Sequence, residues 1–251
     1  MLLTRIPPIA FGLATLGLVL GVVEILLRLQ VLNQFVIPLP SAVFGSFGRL
    51  FSEEELARRL LLTGAEALTA SVLVAIVGIG LGMLLYRFRT LRLATEPWVA
   101  AVAAAPIVLA YPLFLVIFGR SAATIVAMGF VAGLGPVILK TLEGLNGVRK
   151  SLINVGRSYN LTPAQQFRMI LLPAAVPTIF VGVRLGLIFA LINLIGVEFL
   201  INFGGLGQLI NDLAERYDLP GMFATIIFVI LVSVVIFAAL ERMERWFRPV
   251  Q

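Results

Sequence analysis

Neither cysteine nor histidine occurs in this chain of 251 residues. Their absence excludes disulfides, Cys/His metal sites, cysteine nucleophiles and Ser-His-Asp triads. Lysine is nearly missing too. It stands only at Lys140 and Lys150, and neither belongs to a G-x-x-x-x-G-K-[ST] phosphate loop. The chain is therefore expected to hold no catalytic residue, no metal and no cofactor of its own. Charge is also scarce, at 13% of residues against 60% hydrophobic. A soluble domain is nearer ~45–50% apolar.

What is present is a succession of apolar runs, each long enough to cross a bilayer, for which ~20 residues suffice. The pattern predicts one all-α, polytopic membrane domain over residues 1–251 with about six spans. They cover Pro7–Leu29, Leu62–Tyr86, Pro97–Phe118, Ala122–Leu142, Ala174–Leu200 and Pro220–Leu240. Helices are expected because they satisfy their own backbone where no water is available. The first span has Arg5 before it, as a signal peptide would. Its apolar stretch exceeds the usual ~7–15 residues and no small-x-small cleavage site follows, so it reads as a retained span.

Orientation follows from the basic residues. Arg5, Arg87, Arg89, Arg92, Lys140, Arg149, Lys150, Arg157, Arg168, Arg242, Arg245 and Arg248 fall on one side. Arg28, Arg49, Arg58, Arg59, Arg120 and Arg216 fall on the other, a split of about twelve against six. The richer side is expected to be cytoplasmic, with both termini on it. The net charge of +6 is thus a matter of topology, and no nucleic-acid partner is expected.

Residues 31–61 are expected outside the membrane. Ser41 would cap a short helix over Ala42–Leu50, and Ser52 with Glu55 would form a capping box for the next. Val43, Phe44, Phe47, Leu50 and Phe51 form an apolar stripe that suits the membrane surface. Three spans carry glycines at spacing four: Gly78 and Gly82, Gly129 and Gly133, Gly182 and Gly186. Such pairs let helices approach closely, within one bundle or between subunits.

Between the fourth and fifth spans lies a polar, basic island from Glu143 to Pro173. Its second half predicts helix, tight turn, helix. Asn160 occupies a position where a left-handed residue would end the first helix. Thr162 would cap the second, with Pro163 in its first turn and Gln165 closing a T-x-x-Q box.

The island resembles the EAA loop of ABC-importer permeases, whose pattern is E-A-A, three residues, G, nine residues, I-x-L-P. The spacing is met by Asn154-Val155-Gly156, Asn160 and Ile170-Leu171-Leu172-Pro173, although Asn154, Val155-Gly156 and Asn160 replace the Glu, the Ala pair and the Gly. The likeness extends along the chain to the nitrate/sulfonate/taurine-type branch, through IPLPSAVFGSF at Ile37–Phe47, YPLFLVIFG at Tyr111–Gly119, LPAAVPTIFVGVRLGL at Leu172–Leu187 and GVEFLINFGGLGQLI at Gly196–Ile210.

The resemblance implies a type I importer in the bacterial cytoplasmic (inner) membrane. Two permease copies, a homodimer, would sit on two cytoplasmic ATP-binding subunits that carry ATP and Mg, and an external solute-binding protein would deliver substrate. Residues 143–173 would form the coupling helix, with Asn154, Gly156, Tyr159, Asn160, Leu161, Thr162, Gln165 and Pro173 serving coupling to the ATPase. The solute would be a nitrate-, sulfonate- or taurine-like anion, or a heterocycle of the thiamine-precursor or flavin kind.

Four charges lie in or near spans: Glu24, Glu66, Arg184 and Glu198. Such charges face a bundle interior or a cavity because exposing them to lipid is costly. Glu24 and Arg28 are spaced for a local ion pair, Glu66 is close enough to its span end for solvation, and Arg184 is placed to snorkel toward the inner face. Glu198 reads as gate or as structural anchor, with Asn193, Asn202, Gly205 and Tyr111 as further pathway candidates. A gradient-driven transporter would instead show internal repeats and paired midplane charges. A membrane scaffold would leave the capped island unexplained.

Overall fold

The computed structural model describes residues 8–247, with side chains described over 10–244. The basic residues Arg5 and Arg248 and the side chain of Arg245, used above for orientation, lie outside these ranges. Among the described residues there is no strand, and there are eleven α-helices. They run as α1 (Pro8–Arg28), α2 (Pro40–Ser52), α3 (Leu56–Arg87), α4 (Arg89–Ala104), α5 (Tyr111–Phe118), α6 (Ala122–Asn146), α7 (Lys150–Ser158), α8 (Pro163–Gln166), α9 (Leu172–Ile201), α10 (Gly205–Glu215) and α11 (Leu219–Phe247).

Among the described residues five helices are long and apolar enough to cross a membrane, or six if the bent α4–α5 pair counts as one. The third span was expected as one helix over Pro97–Phe118 and is instead broken. α4 and the segment Ile107–Phe118 meet at 90°. Pro106 lacks an N–H, and it holds Ala105 in an extended conformation (φ −74°, ψ 143°) that ends α4. Pro97 stays inside α4.

The centre of the bundle is α3, α6 and α9, and glycine builds it. A Cβ on Gly82 would lie 2.5 Å from Thr141 Cβ, one on Gly133 2.6 Å from the Gly186 carbonyl oxygen, and one on Gly182 2.5 Å from Lys140 Cβ. The register shows α3 parallel to α6 and α9 antiparallel to it. All three glycine pairs thus serve packing within one chain, where close van der Waals contact binds helices that gain little from leaving lipid.

The island residues and the C-terminal end of α3 lie at one end of the bundle, called here the island end; α2 and α10 lie at the opposite, far end. The stripe on α2 does not simply face a membrane surface. Val43 and Leu50 are buried with Leu56, Leu206, Leu209, Leu213 and Ala224, while Phe44 and Phe51 stay exposed. Ion pairs reinforce this packing: Arg49 with Asp218, Arg59 with Asp212 at 3.1 Å, and Arg216 with Glu54 at 2.8 Å. The hydrogen bond to Asp218 raises the Arg49 pKa above its ordinary value.

Both capping expectations at this end differ in detail. Ser52 ends α2 and bonds back to the carbonyl of Gly48 at 3.1 Å, and Glu55 enters α3 in a left-handed conformation (φ +51°) with no capping bond. Leu39 occupies the cap position of α2. The start of that helix is held from another element: the Ser41 amide (3.1 Å) and hydroxyl (2.8 Å) both donate to the carboxylate of Glu24. Glu24 also pairs with Arg28 at 2.7 Å, as the spacing predicts.

Candidate functional sites at the two ends of one helix

At the island end the local geometry matches the sequence grammar closely. α7 ends at Ser158, and Asn160 is left-handed at φ +53°. The Thr162 hydroxyl accepts the Gln165 amide at 3.3 Å, and the Gln165 side-chain oxygen accepts the Thr162 amide at 2.9 Å. Two helix-start amides are thereby satisfied reciprocally. α7 folds back on the helical segment beyond the turn. Gln166 donates to the Ile153 carbonyl at 3.0 Å, and Gly156 is buried where a Cβ would stand 2.5 Å from Ile170 Cδ1.

Of the island candidates, Asn154, Tyr159, Asn160, Thr162, Gln165 and Pro173 are exposed, Leu161 is half-buried and Gly156 is buried. Tyr159 is 76% exposed and stands with exposed Leu152 and Val155. The same island carries Arg149, Lys150, Arg157 and Arg168, and an exposed apolar patch on so basic a segment suits a protein surface better than lipid tails.

The second island helix does not stop where α9 begins. Residues 167–171 form one π-helical turn, in which the Leu172 amide bonds the Phe167 carbonyl. The wider turn leaves room for Pro173, whose ring would otherwise crowd the carbonyl four residues back and whose missing N–H breaks the regular ladder. Helical structure is therefore continuous from Pro163 to Ile201, 39 residues. At ~1.5 Å per residue this is about 58 Å, against a hydrocarbon core of ~30 Å. Standing upright, a helix of this length would leave roughly half of itself outside the hydrocarbon.

At the far end of that helix sits Glu198, fully buried. Its carboxylate accepts the Thr63 hydroxyl at 2.8 Å and the Gly207 amide at 2.7 Å. Thr63 in turn accepts the Leu206 amide at 2.8 Å. The first amides of α10 are thus taken up by a carboxylate from α9 and a hydroxyl from α3. Gly204 (φ +63°) and Gly205 (φ +70°) make the turn, and a Cβ on Gly205 would overlap the Glu198 carboxylate. One on Gly207 would overlap the Ile195 carbonyl oxygen. Glu198 thus joins the end of α9 to the first turn of α10.

The other far-end candidates do not converge on Glu198. Asn193 is half-buried and bonds the Phe189 carbonyl of its own helix at 3.0 Å. Asn202 ends α9 in a left-handed conformation (φ +50°), and its carbonyl accepts from Arg120. Tyr111 packs into the cluster around Ile125, Met128 and Leu194. Of these candidates, Gly205 alone meets Glu198. Sequence reasoning missed Thr63, for which no local pattern exists because it lies 135 residues from Glu198. It also read Glu66 as solvated, whereas Glu66 is half-buried and interacts with Glu198. Arg184 pairs at 2.8 Å with Glu244, which is 1% exposed, rather than reaching out alone.

A cleft of about 430 Å³ opens between α3, α9 and α11, walled by residues such as Ala67, Val72, Leu187, Leu191, Val229 and Ile236. Its polar side chains are Thr63, Ser71 and Ser233, and among the described residues no charged side chain lines it.

Comparison with known proteins gives a consistent picture. The family described as binding-protein-dependent transport system inner membrane component matches residues 68–249. A Bacillus subtilis protein named as a putative aliphatic sulfonates transport permease is 26% identical over 234 residues, covering 93% of this chain and 85% of that one. The riboflavin transport system permease protein of Chloroflexus aurantiacus is 31% identical over 216 residues, covering 84% and 81%. Among solved structures, an inward-facing methionine ABC transporter matches with a TM-score of 0.68 at 22% identity, covering 79% of this chain and all of the matched one. That likeness speaks for the fold.

Proposed function

The chain belongs to the family of binding-protein-dependent transport system inner membrane components, and from that premise we propose how it is assembled and driven. It is a multi-pass permease of the ABC-importer class, and this removes the gradient-driven and scaffold readings. Two copies form the translocation pathway, two ATP-binding subunits dock at the island end, and an external solute-binding protein docks at the far end. The island end faces the cytoplasm of a bacterium, as do both termini. ATP is held and split by the partner subunits.

The observation that carries this reading is the continuous helix Pro163–Ile201. Its island half starts at the turn capped by Thr162 and Gln165, and α7, with Leu152, Val155 and Tyr159, folds back on it. Its other half runs through the α3–α6–α9 core. A partner that grips Tyr159, Asn160, Leu161, Thr162 and Gln165 therefore moves α9 directly, with Gly156 and Gln166 keeping α7 on the lever and Pro173 fixing its junction. Asn154 stands exposed where the usual EAA pattern places a carboxylate, so the partner groove needs no cation opposite it.

The names of the relatives support a small sulfonate-like anion or a flavin-like heterocycle as the solute. The test is the ATPase activity of the complex reconstituted in lipid, with and without binding protein, over a panel of sulfonates and heterocycles. Stimulation by one loaded binding protein establishes the importer and names the solute class. Failure to recover an ATPase subunit with the chain refutes this reading.

A further inference from the structure

The far corner joins three helices through one hydroxyl. Thr63 Oγ1 donates to Glu198 on α9 and accepts from the Leu206 amide on α10, and both bonds are buried. Glu198 also holds Gly207, and the glycines at 205 and 207 seat α10 on α9 with no room for a side chain between them. α9 and α10 thus form one corner, and α3 meets it through the Thr63 hydroxyl, with Glu66 beside Glu198 and the Arg59–Asp212 pair flanking that bond. Beyond it, α10 carries Asp212, paired with Arg59, and Leu206, Leu209 and Leu213, packed with Val43 and Leu50 of α2. Whatever moves the corner moves the far-end surface.

We propose that Thr63 is a positioning residue that ties the α9–α10 corner to α3, so that displacement of the island at one end of the helix Pro163–Ile201 is delivered to the far-end surface as a unit. This rests on the importer reading for what drives the island, but the tie itself is a property of this chain alone. A hydroxyl suits the task because it donates and accepts at once. Valine has the same shape and does neither, and leaving the Glu198 carboxylate and the Leu206 amide short of a buried partner loosens the corner. A Thr63 that merely filled space would be replaced by valine without consequence for either the corner or the transport cycle.

The experiment uses Thr63→Val, with Thr63→Ser as the variant that keeps the hydroxyl. The absence of native cysteine allows spin labels at Leu61→Cys on α3 and Glu215→Cys on α10, both exposed. In the full chain in lipid nanodiscs, the α3–α10 distance distribution is expected to be narrow in the parent chain and in T63S, and broad in T63V. In the complex with its ATPase subunits, T63V is expected to keep basal hydrolysis within about twofold. It should lose about tenfold of the stimulation by loaded binding protein, and T63S should restore it. Unchanged distances in T63V overturn the tie, and so does full stimulation despite a broadened distribution. If T63V is not recovered in the membrane, T63S decides: normal distances and stimulation support the hydroxyl, and loss of both with the hydroxyl present overturns it. A wild-type complex that fails to respond to any loaded binding protein overturns the importer reading and the delivery role together, and is recognised because the variant is not at fault.

Discussion

The side chains and amides of Thr162 and Gln165 exchange hydrogen bonds in both directions, at 3.3 and 2.9 Å, on the exposed tip of the lever. Loss of such a cap costs about 1 kcal/mol. Thr162→Ala is therefore expected to raise amide hydrogen exchange over residues 162–168 by roughly fivefold, with Thr162→Ser near wild type. Uniform exchange in both variants would show that packing, not capping, holds the tip.

Asn160 bends the chain at φ +53°. A β-branched residue there costs about 1–2 kcal/mol in the left-handed region, whereas glycine costs almost nothing. Asn160→Ile is expected to uncouple hydrolysis from uptake, giving futile ATP turnover in proteoliposomes, and Asn160→Gly to transport normally. Equal uptake per ATP in the two variants would sink the assignment of this turn to coupling.

The glycines of the far corner predict a graded series. At Gly204 a Cβ meets nothing within 4 Å and only the positive φ resists it. At Gly207 it meets the Ile195 carbonyl and the Glu198 side chain. Gly204→Ala should lower the melting temperature in detergent by about 2–4 °C, corresponding to ~1 kcal/mol, and Gly207→Ala by clearly more. The reverse order would mean that backbone strain, not the contact between α9 and α10, dominates.

Glu244 is buried beside Arg184. Removing Arg184 takes away one of the groups that hold this buried carboxylate, which is destabilising. Arg184→Leu should sharply reduce the folded yield, and adding Glu244→Gln should recover much of it. A double-mutant cycle with no coupling would show that Arg184 is held by solvent instead.

The features legible in the sequence are those written locally. The apolar runs, the left-handed Asn160, the T-x-x-Q box and the Glu24–Arg28 pair all depend on neighbours a few residues away, and each stands in the structure. The bend at Pro106 hides inside an apolar run that continues on both sides of it, so hydropathy gives no warning and only the Ala-Pro step does. The Ser52–Glu55 box is outvoted because α2 runs on through Ser52 to pack Leu50 against α10. Thr63 and Glu198, like Arg184 and Glu244, meet across the fold. No spacing rule reaches that far, although a carboxylate just before a Gly-Gly-Leu-Gly turn does mark the corner.

The first span stands largely outside the packed core. Only 6% of its apolar window is buried, and its Glu24 holds the start of α2 through Ser41. Lipid tails serve such a helix as well as protein does. Its stability is therefore settled by the bilayer before any tertiary contact exists, and the α3–α6–α9 core can form without waiting for it. Of the described helices α1 leaves the ribosome before the others, a mooring to which the far end is later made fast.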